Sequence, residues 1–219
     1  MADDSQGEAG RSARQEYERR RANDEERIRQ RWGRFGGVAV ALSDERQSTR
    51  AWSVGAAGEA IVGARLDGIP SDQLRVLHDR RIPGSRANID HVVVTPSGVW
   101  VVDAKRYRGR PELKAEGGIL RARVESLRVG GRDQTKLVTG VQRQVEHVRA
   151  VVADVPVTGV LCFVEADWPL IGGSFVVQGI HVLWPRKPAE RLSSTMGDVD
   201  VAAVTNALTA HFPSATRAQ

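Results

Sequence analysis

The residues best placed for chemistry are Asp103 and Lys105, in the stretch IDHVVVTPSGVWVVDAKRYRG. They are two apart, so on a β-strand both project from one face. Val99 and Val101 share that face, and the charged pair ends an otherwise apolar row. Pro96 and Gly98 separate this segment from the preceding one, which is the composition of a tight hairpin turn. A hairpin pairs residues equidistant from its turn. Asp90 therefore arrives close to Asp103, with positions 90 and 104 roughly opposite each other. Two carboxylates and one lysine converge at one end of the hairpin. Carboxylates that close repel unless a cation lies between them. Oxygen ligands of this kind suit Mg²⁺ or Mn²⁺, which take one or two carboxylates and keep several waters. Such an ion polarises a phosphodiester and lowers the pKa of a bound water. The neighbouring lysine can position or deprotonate the attacking water, or offset developing charge. Alone, Asp-x-Lys is a common strand-end salt bridge, and Asp90 alone a common strand cap. The chain holds 28 arginines and only 4 lysines, so a lysine at this position carries information.

The elements that position these groups can be read on either side. Upstream, WSVGAAGEAIVGARLDGI predicts a helix with Ser53 as its N-cap. Gly55, Glu59 and Gly63 are spaced by four and share a face. That bare face lets the helix approach a sheet and aims the Glu59 carboxylate into the contact, where it needs a cation or several donors. Three strands follow, QLRVLHDRRI, IDHVVVT and GVWVVDAK, and then a further β-hairpin ending in RARVESLRV. DQTKLVTGVQRQVEHVRAVVADV predicts a long helix with Leu137, Val141, Val145, Val148 and Val152 as its apolar stripe. Gln144 lies at the edge of that stripe. VTGVLCFVEA and IHVLW read as buried strands, and PAERLSSTM and DVDVAAVTNALTAHF as closing helices. The order is that of an α/β protein. His91 faces away from Asp90 and reads as a packed residue; His78 and His147 lack partners at metal-site spacing and read as structural.

Composition bounds the rest. The chain has 219 residues and one cysteine, Cys162, so an intrachain disulfide and a Cys-based zinc site are both excluded. No apolar run reaches the roughly 18 residues of a membrane span, and the N-terminus lacks a signal-peptide core, so a cytoplasmic protein without a membrane partner is expected. Residues 1–48 mix both charge signs with almost no apolar periodicity. They form a charged extension, either a solvated helix or a disordered tail, with a glycine-rich linker, ahead of a folded domain over 49–215. The extension is expected to be dispensable for folding. Residues 105–149 carry net charge +7 and the remainder −2. A basic block of this kind points to a polyanion. Within it, Arg106, Arg108, Arg110 and Lys114 leave the strand of Lys105 directly and are candidates for phosphate contacts.

Taken together, these stretches resemble the nuclease-related domain (NERD) family of the PD-(D/E)XK nuclease superfamily. The resemblance rests on GAAGE at 55–59, NIDHVVVTPSGVWVVDAK at 88–105 and RQVEHVRAVV at 143–152, and covers roughly residues 52 to 165. It implies a restriction-endonuclease-like mixed sheet flanked by helices, behind the charged helical or disordered N-terminal extension. It implies Asp90 and Asp103 as metal carboxylates, Glu59 as a third, Lys105 as the catalytic lysine and Gln144 as the glutamine of the following helix. Asp90 follows Ile89, where the superfamily's name places proline. The expected function is Mg²⁺- or Mn²⁺-dependent cleavage of nucleic acid, with DNA preferred and RNA not excluded by these residues. The alternative is a nucleic-acid-binding or scaffolding module that keeps the fold and cleaves weakly or not at all. Oligomeric state is not legible.

Overall fold

The computed structural model describes residues 7–32, 47–69, 71, 73–85, 87–117, 122–169, 173–192 and 196–215. Most of the expected linker, residues 33–46, lies outside them. The helices are α1 (Arg11–Trp32), α2 (Gln47–Asp67), α3 (Thr135–Val152), α4 (Lys187–Leu192) and α5 (Val201–His211). The strands are β1 (Arg75–Arg81), β2 (Asn88–Thr95), β3 (Gly98–Arg106), β4 (Pro111–Glu116), β5 (Val124–Val129), β6 (Arg132–Asp133), β7 (Val157–Val164), β8 (Phe175–Val177) and β9 (Ile180–Leu183).

Valine-rich segments build a six-stranded mixed sheet in the order β1-β2-β3-β7-β9-β8. β1, β2 and β3 form an antiparallel meander, β3, β7 and β9 run parallel, and β8 is antiparallel to β9. A parallel neighbour requires a crossover. Between β3 and β7 it consists of a small antiparallel sheet, β4-β5-β6, followed by α3.

Alternation along β3 sends its side chains into two separate cores. Val99 and Val101 pack with Val138, Val141, Val145 and Val148 of α3. Val102 and Ala104 pack with Val62 and Leu66 of α2. Full burial contributes about 1.5–3 kcal/mol per valine, so the valines on both faces fix β3 firmly. Gly159 on β7 lets α3 come down onto the sheet. A Cβ there would stand 2.9 Å from Val145 Cγ2 and 3.0 Å from Val141 Cγ1. The restriction-endonuclease-like architecture is therefore as expected.

Four details differ from the sequence-based expectation. α2 begins at Gln47, so Ser53 lies inside the helix and does not cap it. The close approach of α2 to the sheet is at Gly58, where a Cβ would meet Arg106 Cβ at 3.3 Å, whereas Gly55 faces open space. In the α3 stripe Val138 is buried and Leu137 only partly so. β8, three residues long, gives no signal ahead of its glycine turn.

The extension forms a helix with ion pairs one turn apart, Glu16 to Arg20 and Arg21 to Glu25. Its first turn is docked. Ala13 is 3% exposed, and Ser12 donates through its backbone N–H and its hydroxyl to the two carboxylate oxygens of Asp79, each at 2.7 Å. The segment also packs on α2, where a Cβ on Gly10 would stand 2.8 Å from Ala56 O, and a contact made by serine, alanine and glycine leaves no apolar periodicity to read.

Candidate active site

The β2–β3 pairing runs from Thr95 opposite Gly98 to His91 opposite Val102. The next step places Asp90 opposite Asp103. The expected partner, residue 104, is off by one, because the turn proper is only Pro96 and Ser97. Directly opposed residues of an antiparallel pair share a face, so both carboxylates end the Val99–Val101 row. Asp90 is fixed by accepting the Ala104 backbone N–H at Oδ2, 2.9 Å. Lys105 Nζ lies 2.6 Å from Asp103 Oδ2 and 4.0 Å from Asp90 Oδ2. From α3, Gln144 Nε2 donates to Asp103 Oδ1 at 3.3 Å. Gln144 reaches Asp103 because Val141, Val145 and Val148 anchor its helix to the same face of the sheet. Glu59 comes from α2, one residue after the Gly58 contact.

These side chains form one electrostatic unit. Burial pushes the Glu59 carboxyl up to about 9, and the charges of Asp90 and Asp79 add to the effect. Burial, followed by the Asp103 charge, pushes Asp90 up to about 7, against the opposing pull of Lys105 and the Ala104 N–H. Burial also works against the Lys105 ammonium, but Asp103, Asp90 and Glu59 outweigh it and hold that group above its ordinary range. Lys105 is therefore a cation at any ordinary pH. The carboxyl groups outnumber the ammonium, and without a further cation the raised ones keep their protons.

This donor set fits a hard divalent cation. Gln144 Oε1 is buried and has no hydrogen-bond partner among the described residues. It is an unsatisfied oxygen on the side chain that donates to Asp103. Mg²⁺ uses one or two carboxylates with water and neutral oxygens, which Asp90, Asp103 and Gln144 can provide, with Glu59 as a further carboxylate. Among the described residues no three His, Cys, Asp or Glu side chains already stand at metal-binding spacing.

The four basic candidates do not share one environment. Arg106 donates to Glu165 at 2.6 Å, a neutralised pair. Arg108 is exposed on the loop after β3. Arg110 stands 4.0 Å from Glu112, and Lys114 pairs with Glu116 at 2.5 Å, all of them well exposed. His91 lies on the other face, fully buried, with its Nδ1 2.8 Å from Nδ1 of His78. His78 in turn contacts Asp67 through Nε2 at 2.9 Å. Both rings are packed, as expected.

Asp79 is a site residue that the sequence does not reveal. The β1–β2 pairing, with His78 opposite His91 and Arg80 opposite Ile89, sets Asp79 beside Asp90. It is 2% exposed, and besides Ser12 it accepts from Asn88 Nδ2 at 3.0 Å. Its charge raises both Glu59 and Asp90. The one available signal is the register of β1, and a single strand does not show its register.

Residues 54–164 match the nuclease-related domain family. No curated protein and no solved structure shows significant similarity to the chain. The match spans just over half of the chain and takes in all five of the converging residues, so the chain belongs to the nuclease-related domain family, within the PD-(D/E)XK superfamily.

Proposed function

We propose that this protein is a divalent-metal-dependent nuclease that hydrolyses phosphodiester bonds in nucleic acid, with DNA as its substrate. The observation that carries the reading is the convergence of Asp90, Asp103 and Lys105 within 2.6–4.0 Å at one end of an apolar hairpin. A purely structural ion pair needs one carboxylate for its lysine. A second and a third buried carboxylate only add repulsion, unless a cation or a charged transition state uses them.

In this reading Asp90 and Asp103 hold a Mg²⁺ or Mn²⁺ ion, with Glu59 and the Gln144 amide oxygen completing its surroundings. The bound ion supplies Lewis-acid polarisation of the phosphodiester and a more acidic bound water. Lys105, held protonated by its carboxylate neighbours, orients the attacking water and offsets charge developing on the phosphate. Gln144 fixes the Asp103 carboxylate, and the Ala104 N–H fixes Asp90. Arg108 and Arg110, on the loop leaving β3, contact flanking phosphates, and Lys114 does so from β4. Arg106 contributes once Glu165 is displaced. A polyanionic substrate agrees with the +7 charge of residues 105–149.

The test is digestion of labelled single-stranded, duplex, flapped and branched DNA and matched RNA, with Mg²⁺, Mn²⁺ or EDTA. Metal-dependent cleavage that vanishes in Lys105→Met supports the reading, and the panel ranks DNA against RNA. One observation favours a binding module instead: the Asp103 oxygens are already engaged by Lys105 and Gln144. Nucleic-acid binding without any cleavage by the wild-type protein would establish that module.

A further inference from the structure

We propose that the hollow between the small sheet and β8 is a subsite for one unpaired nucleotide of the bound strand, taking its phosphate on Arg128 and its base on Phe175. This rests on the nuclease reading and narrows its substrate to nucleic acid with single-stranded character beside the cleavage point.

Strand alternation creates the hollow. On β4 and β5, Pro111, Leu127 and Val129 turn inward and are buried, and Leu113 is partly buried. Glu112 stands opposite Arg128, and Lys114 opposite Ser126, on the outer face. At the edge of the small sheet, Phe175 and Pro169 border the same hollow as Glu112, Lys114 and Arg128. Together they line an open hollow of about 590 Å³ whose charged lining is Arg110, Lys114 and Arg128 against Glu112. That volume falls within the range of about 300–1,000 Å³ usual for small-molecule sites.

Arg128 is the informative residue. Its Nε is buried and has no hydrogen-bond partner among the described residues. Arg110 and Lys114 each have a carboxylate within 4.0 Å, but these pairs are exposed. Exposed pairs are worth little and exchange readily for a phosphate. Arg128 as a whole is half-buried, and a phosphate oxygen matches the fork of its guanidinium. Glu116 and Asp133 are near enough to feel the Arg128 charge, and with Arg128 they line a second hollow beside this one, so a bound phosphate competes with these two exposed carboxylates for the guanidinium.

Phe175 supplies the second half of the recognition. It is half-buried at the sheet edge, so its ring is held in place while remaining accessible. An aromatic face beside a phosphate-binding cation is the usual platform for a single-stranded base. A base inside a duplex is already stacked on both sides and cannot use it. The hollow is also close to the chemistry. Arg110 is five residues from Lys105, so the two Cα atoms stand at most about 17 Å apart. That is on the order of five nucleotides along one strand at about 3.4 Å each.

The experiment uses the full chain in Ca²⁺ with a fluorescein-labelled 12-nucleotide single strand and the blunt duplex of the same sequence. The variants are Arg128→Gln and Phe175→Leu, the latter keeping the apolar volume that Phe175 gives the core. Thermal melts accompany both. Each variant is expected to weaken single-strand binding about 5-fold or more, with duplex binding changed less than about 2-fold. Arg128→Gln should also reduce the log–log salt slope for the single strand by about 0.7. Unchanged single-strand affinity, or equal weakening for strand and duplex, overturns the subsite. Capture of a polyglutamate peptide in place of oligonucleotide, abolished in the same variants, also overturns it and gives the hollow to an acidic protein. Plasmid cleavage that depends on Lys105 keeps the nuclease reading alive in any of these cases. A wild-type protein that neither binds nor cleaves nucleic acid ends both.

Discussion

Replacing Asp90 with Asn should stabilise the metal-free protein while destroying the site. Asp90 is held at about 7 against an ordinary 3.8, through burial first and the Asp103 charge second. The folded state therefore keeps its proton longer than the unfolded chain. Between about pH 4 and pH 7 the folded state binds more protons, so stability falls as pH rises through that window and the loss is complete above it. Each pKa unit corresponds to about 1.4 kcal/mol. Three units give a ceiling of about 4 kcal/mol, and sharing with Glu59 and Asp103 reduces this to about 1–3 kcal/mol. Asn keeps an oxygen for the Ala104 N–H and removes the buried like charge. For a chain of this length about 1 kcal/mol moves Tm by about 2–4 °C, so at pH 8 in EDTA the variant should melt about 2–12 °C above wild type. At pH 4 the two should nearly coincide. Saturating Mg²⁺ should raise the wild-type Tm at pH 8, by about 2.7 kcal/mol in stability at a hundredfold excess over Kd, and leave the variant unmoved. The assay is scanning calorimetry from pH 4 to 9, with and without metal. A variant less stable than wild type at pH 8 in EDTA, or a wild-type Tm flat across the window, would refute the electrostatic argument.

The other predictions follow from the same geometry. Asp103→Asn should weaken Mg²⁺ binding, whereas Lys105→Arg should keep DNA affinity in Ca²⁺ and reduce single-turnover cleavage by about 10²-fold, because the larger planar guanidinium misplaces the attacking water. Cleavage by Lys105→Arg at the wild-type rate would make the lysine a bare charge. Gln144→Leu removes both the donor to Asp103 and the unpartnered Oε1, and should cost about 10- to 100-fold in metal affinity by titration calorimetry. Unchanged affinity would make Gln144 a packing residue. Reversing Arg108 and Arg110 together should lower the salt slope of nucleic-acid binding by about 0.7–0.9 for each phosphate no longer neutralised, and an unaltered slope would leave them as surface charge. Removing residues 1–48 should leave a cooperatively melting domain, but one destabilised by about 2–4 kcal/mol, because Asp79 loses both Ser12 donors. Non-cooperative melting would place the extension inside the folding unit.

The hairpin is readable from the sequence because its information is local. Period-two valines and a Pro-Ser-Gly turn fix the faces of β2 and β3, and the error in register is a single residue. α3 is readable because valines recur at helical spacing. Gln144 reaches Asp103 as a consequence of those two local patterns meeting. Asp79 depends instead on how β1 pairs with β2, and on a serine 67 positions away. Neither leaves a periodic trace. Arg128 and Phe175 share the hollow only because β8 folds back beside the small sheet, and β8 is too short to show alternation.

The three aspartates in one row, Asp79 on β1, Asp90 on β2 and Asp103 on β3, pose the same electrostatic problem with different solutions. Asp79 receives three neutral donors, two from Ser12 and one from Asn88. Hydrogen bonds delocalise its charge without cancelling it, so its field still reaches Glu59 and Asp90. Asp103 has Lys105 at 2.6 Å. Asp90 has one N–H and a distant ammonium, and it is the aspartate raised to about 7. A fold selected only for stability would have placed an amide there, as the predicted gain from Asp90→Asn implies. The valines on both faces of β3 are what let the fold tolerate the conflict, because they hold the strand in register while its end carries unbalanced charge. Under the proposed function, Asp79 acts as a fixed negative charge behind the site. It sharpens the preference of Asp90 and Glu59 for a doubly charged cation over a proton, and the Ser12 contact tunes that preference from the N-terminal helix.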